Sequence, residues 1–325
     1  MRAIEYFRYG SPEVLKFTEL APKPVPAPDE VLVRVHASSI NAADWHLLTA
    51  DIFLVRLQMG LLSPRRNILG LDVAGTVEGV GSSVTRFKRG EAVFGVLLNF
   101  KVGAFAEYVC VPERFLERKP ENIGFEAAAA TPLAAITALQ ALRDLGEVQP
   151  GQQVLIQGAS GGVGSFAVQV AKLLGAEVTA VCSPQKQVLA KQLGADQVLD
   201  YTRQDFTTLG KRYDVVLGVN GHRSLSDYQK VLKPRGRYVM IGGTQKQMFE
   251  ALFLGGFKSS KTGQRFQTLT LKFSPLDLPF LRSHLTQGTL VPVIDQSIPL
   301  AQLPEAMRQF GQGRSKGKIV VTVQP

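Results

Sequence analysis

Val154-Leu155-Ile156-Gln157-Gly158-Ala159-Ser160-Gly161-Gly162-Val163-Gly164 carries an apolar stretch into a glycine turn, and helix-forming residues follow from Val163 to Leu174. A side chain at Gly161 would push a pyrophosphate away from the backbone N–H groups. One at Gly164 would keep the helix from packing closely on the strand, and the helix N-terminus faces the two phosphates. The fingerprint reads Ala159-x-Gly161-x-x-Gly164, with alanine for the first glycine. Gly175 caps the helix and Glu177–Cys182 reads as the next strand, which completes the βαβ unit of about 30 residues that the motif requires. Ser160, Gly161, Gly162, Val163 and Gly164 are therefore candidate cofactor-binding residues; the alternative is a glycine-rich turn in some other α/β sheet.

The second strand indicates which dinucleotide. A free ribose 2′-OH usually meets an Asp or Glu about 20 residues beyond the glycines, whereas a 2′-phosphate calls for cations and hydroxyls. Here the strand ends Cys182-Ser183-Pro184-Gln185-Lys186, and the next, Gln197–Asp200, delivers Tyr201 and Arg203 to the same rim. Ser183, Lys186 and Tyr201, with Arg203 after them, suit a phosphate, so NADPH is expected over NADH. The plainer reading makes Lys186 and Arg203 ordinary solvated charges.

The chain has 325 residues, 45% of them hydrophobic and 20% charged, enough for two buried cores. No charge-free window of about 18 apolar residues is found, so no membrane span is expected. The N-terminus lacks a signal-peptide apolar region, and a cytoplasmic location is expected. Cys110 and Cys182 allow no disulfide framework, and His36, His46, His222 and His284 show no metal-ligand spacing. A net charge of +10 fits attraction for a polyanionic cofactor; its short clusters without interleaved aromatics argue against nucleic acid.

Before residue 120 short β-type runs broken by Gly and Pro suggest a compact β-barrel. A helical stretch from Phe125 to Leu145 leads into the glycine motif. Strands then alternate with helices through Gly243, including the apolar Tyr213–Val219 and Arg237–Ile241 of a sheet covered on both faces. Phe266–Phe273 reads as a sixth strand, whose 268–273 part is a candidate edge for pairing in a homodimer. The tail returns to mixed α and β, ending in a strand over Lys318–Val323.

Together, Asn41-Ala42-Ala43-Asp44, Leu69-Gly70-Leu71-Asp72-Val73-Ala74-Gly75, Val84-Thr85-Arg86-Phe87-Lys88-Arg89-Gly90, Gly103-Ala104-Phe105-Ala106-Glu107-Tyr108, Gly158 to Gly164 and Gly317-Lys318-Ile319-Val320-Val321 resemble the medium-chain dehydrogenase/reductase superfamily, in its zinc-free quinone-oxidoreductase-like and enone-reductase branch. The resemblance implies an α/β fold: a GroES-like β-barrel catalytic domain over 1–123, completed by 274–325, and a Rossmann doubly wound parallel sheet over 124–273, with the active site in the cleft. Zinc members would carry Cys where Asn41 stands and His where Leu71 stands, and a third ligand near Thr131-Pro132-Leu133, so no metal is expected. Without a Lewis acid, hydride reduction of quinones or α,β-unsaturated carbonyls fits better than alcohol oxidation. Carbonyl/alcohol interconversion on the same fold, or a non-catalytic NADPH- or RNA-binding regulatory protein, are the alternatives.

By the same resemblance Asn41, Asp44 and His46 line the substrate side, with Asn41 as a donor to the developing negative oxygen and His46 as a proton source. The alternatives are a helix cap for Asn41 and a half-buried packing residue for His46. Asp72 is expected to pair a cation or cap a turn. Thr137, Asn220, Gly242, Gly243 and Lys318 are the remaining cofactor-side candidates, the glycines and Asn220 because they follow strand ends where ligands bind; Lys318 has the beginning of an edge strand as its alternative. Gly218 stands where related chains carry an acid. Met248–Arg265, long and irregular, is either a lid or a surface patch.

Overall fold

In the computed structural model, which describes residues 1–98, 103–219, 221, 223–242, 263–313 and 315–323, the chain forms two units. One holds Met1–Leu133, Phe273–Gly288 and Pro292–Pro325; the other holds Ala134–Lys272 with Thr289–Val291. Asn220, Gly243 and nearly all of Met248–Arg265 lie outside the described residues.

The first unit begins with a two-stranded ladder of β1 (Ala3–Glu5) and β2 (Lys16–Thr18). The long β3 (Glu30–Ser39) then pairs antiparallel with both β4 (Asp72–Val80) and β6 (Tyr108–Pro112), while β5 (Ala92–Val96) joins β4 to β7 (Leu116–Arg118). Val31, Val33 and Val35 are fully buried on one face of β3, the alternation a half-wrapped sheet needs. Expected as one helix, the stretch after Phe125 is three pieces: Phe125–Ala129, Pro132–Gln140 and a looser turn, Ala141–Leu145, closed by Gly146 N–H donating to Ala141 O. Pro132 has no N–H to continue the first helix and disfavours helical geometry in Thr131, which separates the pieces. The first unit reaches past residue 123 to Leu133 because the helix Phe125–Ala129 packs on β3 and β4 and the Leu133 N–H donates to buried Asp72 at 2.8 Å.

The second unit is a six-stranded, all-parallel sheet: β8 (Gln153–Gln157), β9 (Glu177–Cys182), β10 (Gln197–Asp200), β11 (Tyr213–Gly218), β12 (Leu232–Met240) and β13 (Arg265–Thr268), in the order β10-β9-β8-β11-β12-β13. The order reverses at β8, and ligands of such sheets bind outside the carboxyl ends of the strands at that point. Leu155, Val216, Tyr213, Tyr228, Tyr238 and Phe266 share its core. The sixth strand stops at Thr268 instead of Phe273. After Leu269 N–H donates to Met240 O, the backbone is held by a side chain: Gln140 Nε2 donates to Lys272 O at 2.7 Å and Gln140 Oε1 accepts Lys272 N–H at 3.1 Å.

The chain then returns to the first unit, where β14 (Ile294–Pro299) and β15 (Lys318–Thr322) finish the larger sheet as β14-β15-β3-β4-β5-β7. β15 runs between β14 and β3. Lys318 therefore begins an interior strand, since the apolar run that follows it, Ile319–Val321, is buried on both faces.

Candidate functional site

At the end of β8, Gly158 turns the chain with φ +81° and the helix Gly162–Leu173 starts with Gly161 as its N-cap. The two glycines of the fingerprint differ in what surrounds them. A Cβ on Gly164 would lie 2.0 Å from Gly158 O and 2.8 Å from the Ala159 backbone, whereas one on Gly161 would meet only Gly158 O at 3.9 Å. Helix-to-turn packing accounts for Gly164; among the described residues only Gly158 O comes within 4 Å of a Cβ at Gly161, where the first N–H groups of the helix have no intrahelical acceptor. An anionic group fits there. Ser160 and Gly164 are buried, and Gly162 and Val163 are half-buried at the mouth of the turn. Thr137 is buried on the helix Pro132–Gln140, and Gly242 is half-buried just past β12.

The parallel register sets Asp200 beside Cys182, so Ser183 and Tyr201 leave adjacent strands side by side. Ser183 caps the short turn Pro184–Lys186, and the Lys186 ammonium is close enough to Cys182 to favour its thiolate, against the burial that pushes this thiol up. Asp200, the acid nearest this rim, is turned inward: its Oδ1 accepts the Thr202 N–H at 2.9 Å and hydroxyl at 2.7 Å. The rim is thus hydroxyl- and cation-bearing, with Arg203 exposed beyond it, 3.8 Å from Asp200. The absent acid at Gly218 has a packing cause, since a Cβ there would lie 2.6 Å from the Tyr238 hydroxyl oxygen.

In the first unit, three strands bring a polar cluster together beneath the helix Ala42–Thr49. The β15–β3 ladder pairs Val320 with Ser39, and two residues further on the same antiparallel count sets Lys318 against Asn41. Asp72 opens β4 beside them. Lys318 Nζ donates to Asn41 Oδ1, to Ile40 O at 3.0 Å and to Asp72 Oδ2 at 3.3 Å. Asn41 Nδ2 donates to Asp72 Oδ2 at 2.8 Å and Ser39 O at 3.2 Å, while Ser39 Oγ donates to Asp72 Oδ2 at 2.5 Å. Burial pushes the Lys318 ammonium down, opposed by the carboxylates of Asp72 and Asp44.

These contacts engage two of the expected site residues. An ammonium has three hydrogens and a primary amide two. Lys318 directs its three hydrogens into this cluster, the partners a buried ammonium requires. Both Nδ2 hydrogens of Asn41 go to protein oxygens, and its side-chain oxygen accepts from Lys318 Nζ and, in the capping box that starts the helix, from the Asp44 N–H.

Asp44 is held by the same helix start. It is fully buried, its Oδ2 accepting Asn41 N–H at 3.0 Å and its Oδ1 accepting Gly70 N–H at 2.9 Å. Burial pushes its carboxyl up to about 6, against the opposing pull of the Gly70 N–H and the Arg66 guanidinium. It ties the helix start to the Gly70 turn. His46, on the same helix, is half-exposed; its Nδ1 lies 2.8 Å from the Asp51 carboxylate, and Nε2 makes no hydrogen bond among the described residues. Asp51, Ser39 and Arg66 went unnoticed in the sequence. The cation expected for Asp72 is Lys318; a lysine opening an apolar strand is the signal that would have named it, because a buried charge requires a partner.

Residues 27–121 match the alcohol dehydrogenase GroES-like domain family and residues 193–321 the zinc-binding dehydrogenase family. The chloroplast envelope quinone oxidoreductase homolog of Arabidopsis thaliana is 32% identical, over 99% of this chain and 98% of its own. The 2-methylene-furan-3-one reductase of Solanum lycopersicum is 33% identical, over 99% of this chain and 79% of its own. A solved NAD-dependent alcohol dehydrogenase, 31% identical, superposes with a TM-score of 0.85 over all of both chains. The chain belongs to the medium-chain dehydrogenase/reductase superfamily, in its zinc-free quinone oxidoreductase-like branch.

As a medium-chain oxidoreductase it takes a nicotinamide cofactor, and the glycine turn after β8 with its open space beside Gly161 fits one. Asn41 and Leu71 are both buried. Among the described residues no cluster of three or more His, Cys, Asp or Glu side chains is arranged for a metal, and no helix is long and apolar enough to cross a membrane.

Proposed function

We propose that this oxidoreductase uses NADPH to reduce quinones or α,β-unsaturated carbonyl compounds without zinc. The observation that carries the reading is the commitment of the former ligand positions to the fold: Leu71 is fully buried, and Asn41 is bound on both sides of its amide by Lys318, Asp72 and Ser39. A saturated alcohol loses its proton and hydride most readily on a Lewis acid, which this residue set does not hold; an enone or quinone already carries an electrophilic carbon or oxygen. When bound, NADPH supplies the hydride. The rim of Ser183, Lys186 and Tyr201 supports the 2′-phosphate, and the turn from Ser160 to Gly164 supports the pyrophosphate. His46 supplies the proton: Asp51 holds Nδ1, so exchange runs through Nε2.

Purified protein is expected to oxidise NADPH far faster with a quinone and enone panel than with saturated aldehydes, and to keep its activity after exhaustive chelation. The rival reading is carbonyl/alcohol interconversion, the activity in the name of the solved relative. Oxidation of simple alcohols with no turnover on quinones or enones would establish it and refute ours.

A further inference from the structure

Leu61 and Leu62 occupy the tip of a tight loop, where turns ordinarily carry Gly, Asn, Asp or Ser. Gly60 starts the loop with φ +125°, since a Cβ there would lie 2.1 Å from Ser63 O, and the Arg65 N–H closes it on Met59 O at 2.7 Å. The helix Phe53–Met59 leads into this loop and sets Phe53 and Leu57 one turn apart on the same face. A second segment runs alongside. Tyr6 N–H donates to Asn67 O and the Tyr9 hydroxyl to Gly60 O, both at 2.8 Å, and the Arg56 guanidinium stands 4.9 Å from the centre of the Tyr9 ring. Phe7, Phe53, Leu57, Leu61 and Leu62 are 56% to 89% exposed, a gathering of large apolar side chains that marks an interaction surface.

The charge around these side chains has one sign. Residues 6–12 and 52–71 contain Arg8, Arg56, Arg65 and Arg66 and no Asp or Glu. The carboxylates that border the two segments are engaged: Glu5 accepts from Asn67 Nδ2, Glu13 from Arg308, Asp51 lies against His46, and Asp72 is buried with Lys318. Arg66 is buried, whereas Arg8 and Arg65 are exposed. A second copy of the chain fits this face poorly, because a two-fold contact sets the same patch against itself and brings arginine to arginine. An anionic lipid surface suits both features, taking leucine and phenylalanine at its apolar boundary and arginine at its phosphates.

We propose that the face formed by Phe7, the helix Phe53–Met59 and the loop Gly60–Arg65 docks the protein on an anionic lipid surface, lying on the bilayer without crossing it. The inference does not depend on the proposed reaction.

The test is flotation of the full chain with vesicles of phosphatidylcholine alone and of phosphatidylcholine mixed equally with phosphatidylglycerol. Binding is expected to the anionic vesicles, far less to the neutral ones, and is expected to weaken as salt is raised. Leu61→Ser/Leu62→Ser removes the apolar tip and keeps the charge, and binding to anionic vesicles is expected to fall roughly tenfold or more. Arg8→Gln/Arg65→Gln removes two cations, for a loss of roughly 20–30-fold at about fivefold per charge. Lys88→Gln/Lys230→Gln removes the same charge elsewhere and is expected to bind nearly as the parent does. All six changed side chains are exposed, so each variant keeps the parent fold and Tm. A parent protein that does not float with anionic vesicles overturns the proposal. Equal losses in the arginine and lysine variants overturn it too, since they would reflect only the net charge of the chain. A leucine variant that floats as the parent does, while sedimentation shows a dimer turned into a monomer, would assign the face to a protein contact and refute lipid docking.

Discussion

The two glycines of the phosphate turn give the sharpest contrast to measure. In Gly164→Ala the new methyl would sit 2.0 Å from Gly158 O and 2.8 Å from the Ala159 backbone, so the helix must move by about an ångström. Overpacking of that kind costs about 3 kcal/mol, and alanine's better helix propensity returns about 1, for a net loss near 2 kcal/mol. At roughly 2–4 °C per kcal/mol in a domain of this size, Tm falls by roughly 4–8 °C. Gly161→Ala is the opposite case. Its φ of −83° and ψ of −177° suit alanine and its methyl meets only one atom, at 3.9 Å, so the apoprotein is unchanged or more stable by about 0.5 kcal/mol. On the proposed cofactor reading, the same methyl would stand where the pyrophosphate binds. Losing about two charge-assisted hydrogen bonds costs about 3 kcal/mol, roughly a hundredfold in Kd for NADPH. Thermal unfolding of the apoproteins followed by a fluorescence titration with NADPH reads both effects. The reasoning fails if Gly161→Ala destabilises the apoprotein as much as Gly164→Ala, or if it binds NADPH as tightly as the parent.

Three further outcomes are expected. Lys186→Ala should weaken NADPH by roughly 10–100-fold with NADH little changed, and equal losses for the two cofactors would remove Lys186 from the 2′-phosphate. His46→Phe should lower kcat for enones at least about tenfold and less for quinones, because the enone α-carbon must gain a proton before a saturated product leaves; equal turnover in parent and variant excludes His46. Asp44, pushed up to about 6 by burial from a free-group value of 3.8, holds its proton more tightly in the folded chain. Its contribution is complete below about pH 3.8 and is lost as pH rises through about 6, amounting to about 3 kcal/mol. Denaturant unfolding at stepped pH should show this decline in the parent and its absence in Asp44→Asn; matching slopes would contradict the assignment.

The order of the parallel sheet was readable because its information is local: an apolar strand, a glycine turn and a helix within one βαβ unit, repeated. β9 and β10 begin and end where their sequence pattern says. The misplaced features depend on distant partners. Lys318 reads like any lysine at a strand start, and its burial is settled by β15 lying between β14 and β3. Its partners Asp72 and Asn41 are 246 and 277 positions away in sequence. The Asn41 amide is held both by these distant partners and by its neighbours Ser39 and Asp44. The over-long sixth strand has the same origin, since Gln140 takes over the backbone at Lys272 from 132 positions away.

The return of the chain to its first sheet has a consequence for synthesis. The sheet's interior strand β15 is made after the whole of Ala134–Lys272 has left the ribosome. The Rossmann segment is nearly contiguous and able to fold as it emerges, at about 5–20 residues per second. The earlier strands must wait, with the Ala37–Ser39 end of β3 unpaired on one side and the Asp72 carboxylate still without its cation. The nascent chain thus exposes an aggregation-prone strand edge for about ten seconds or more, the interval in which a chaperone would be expected to engage it.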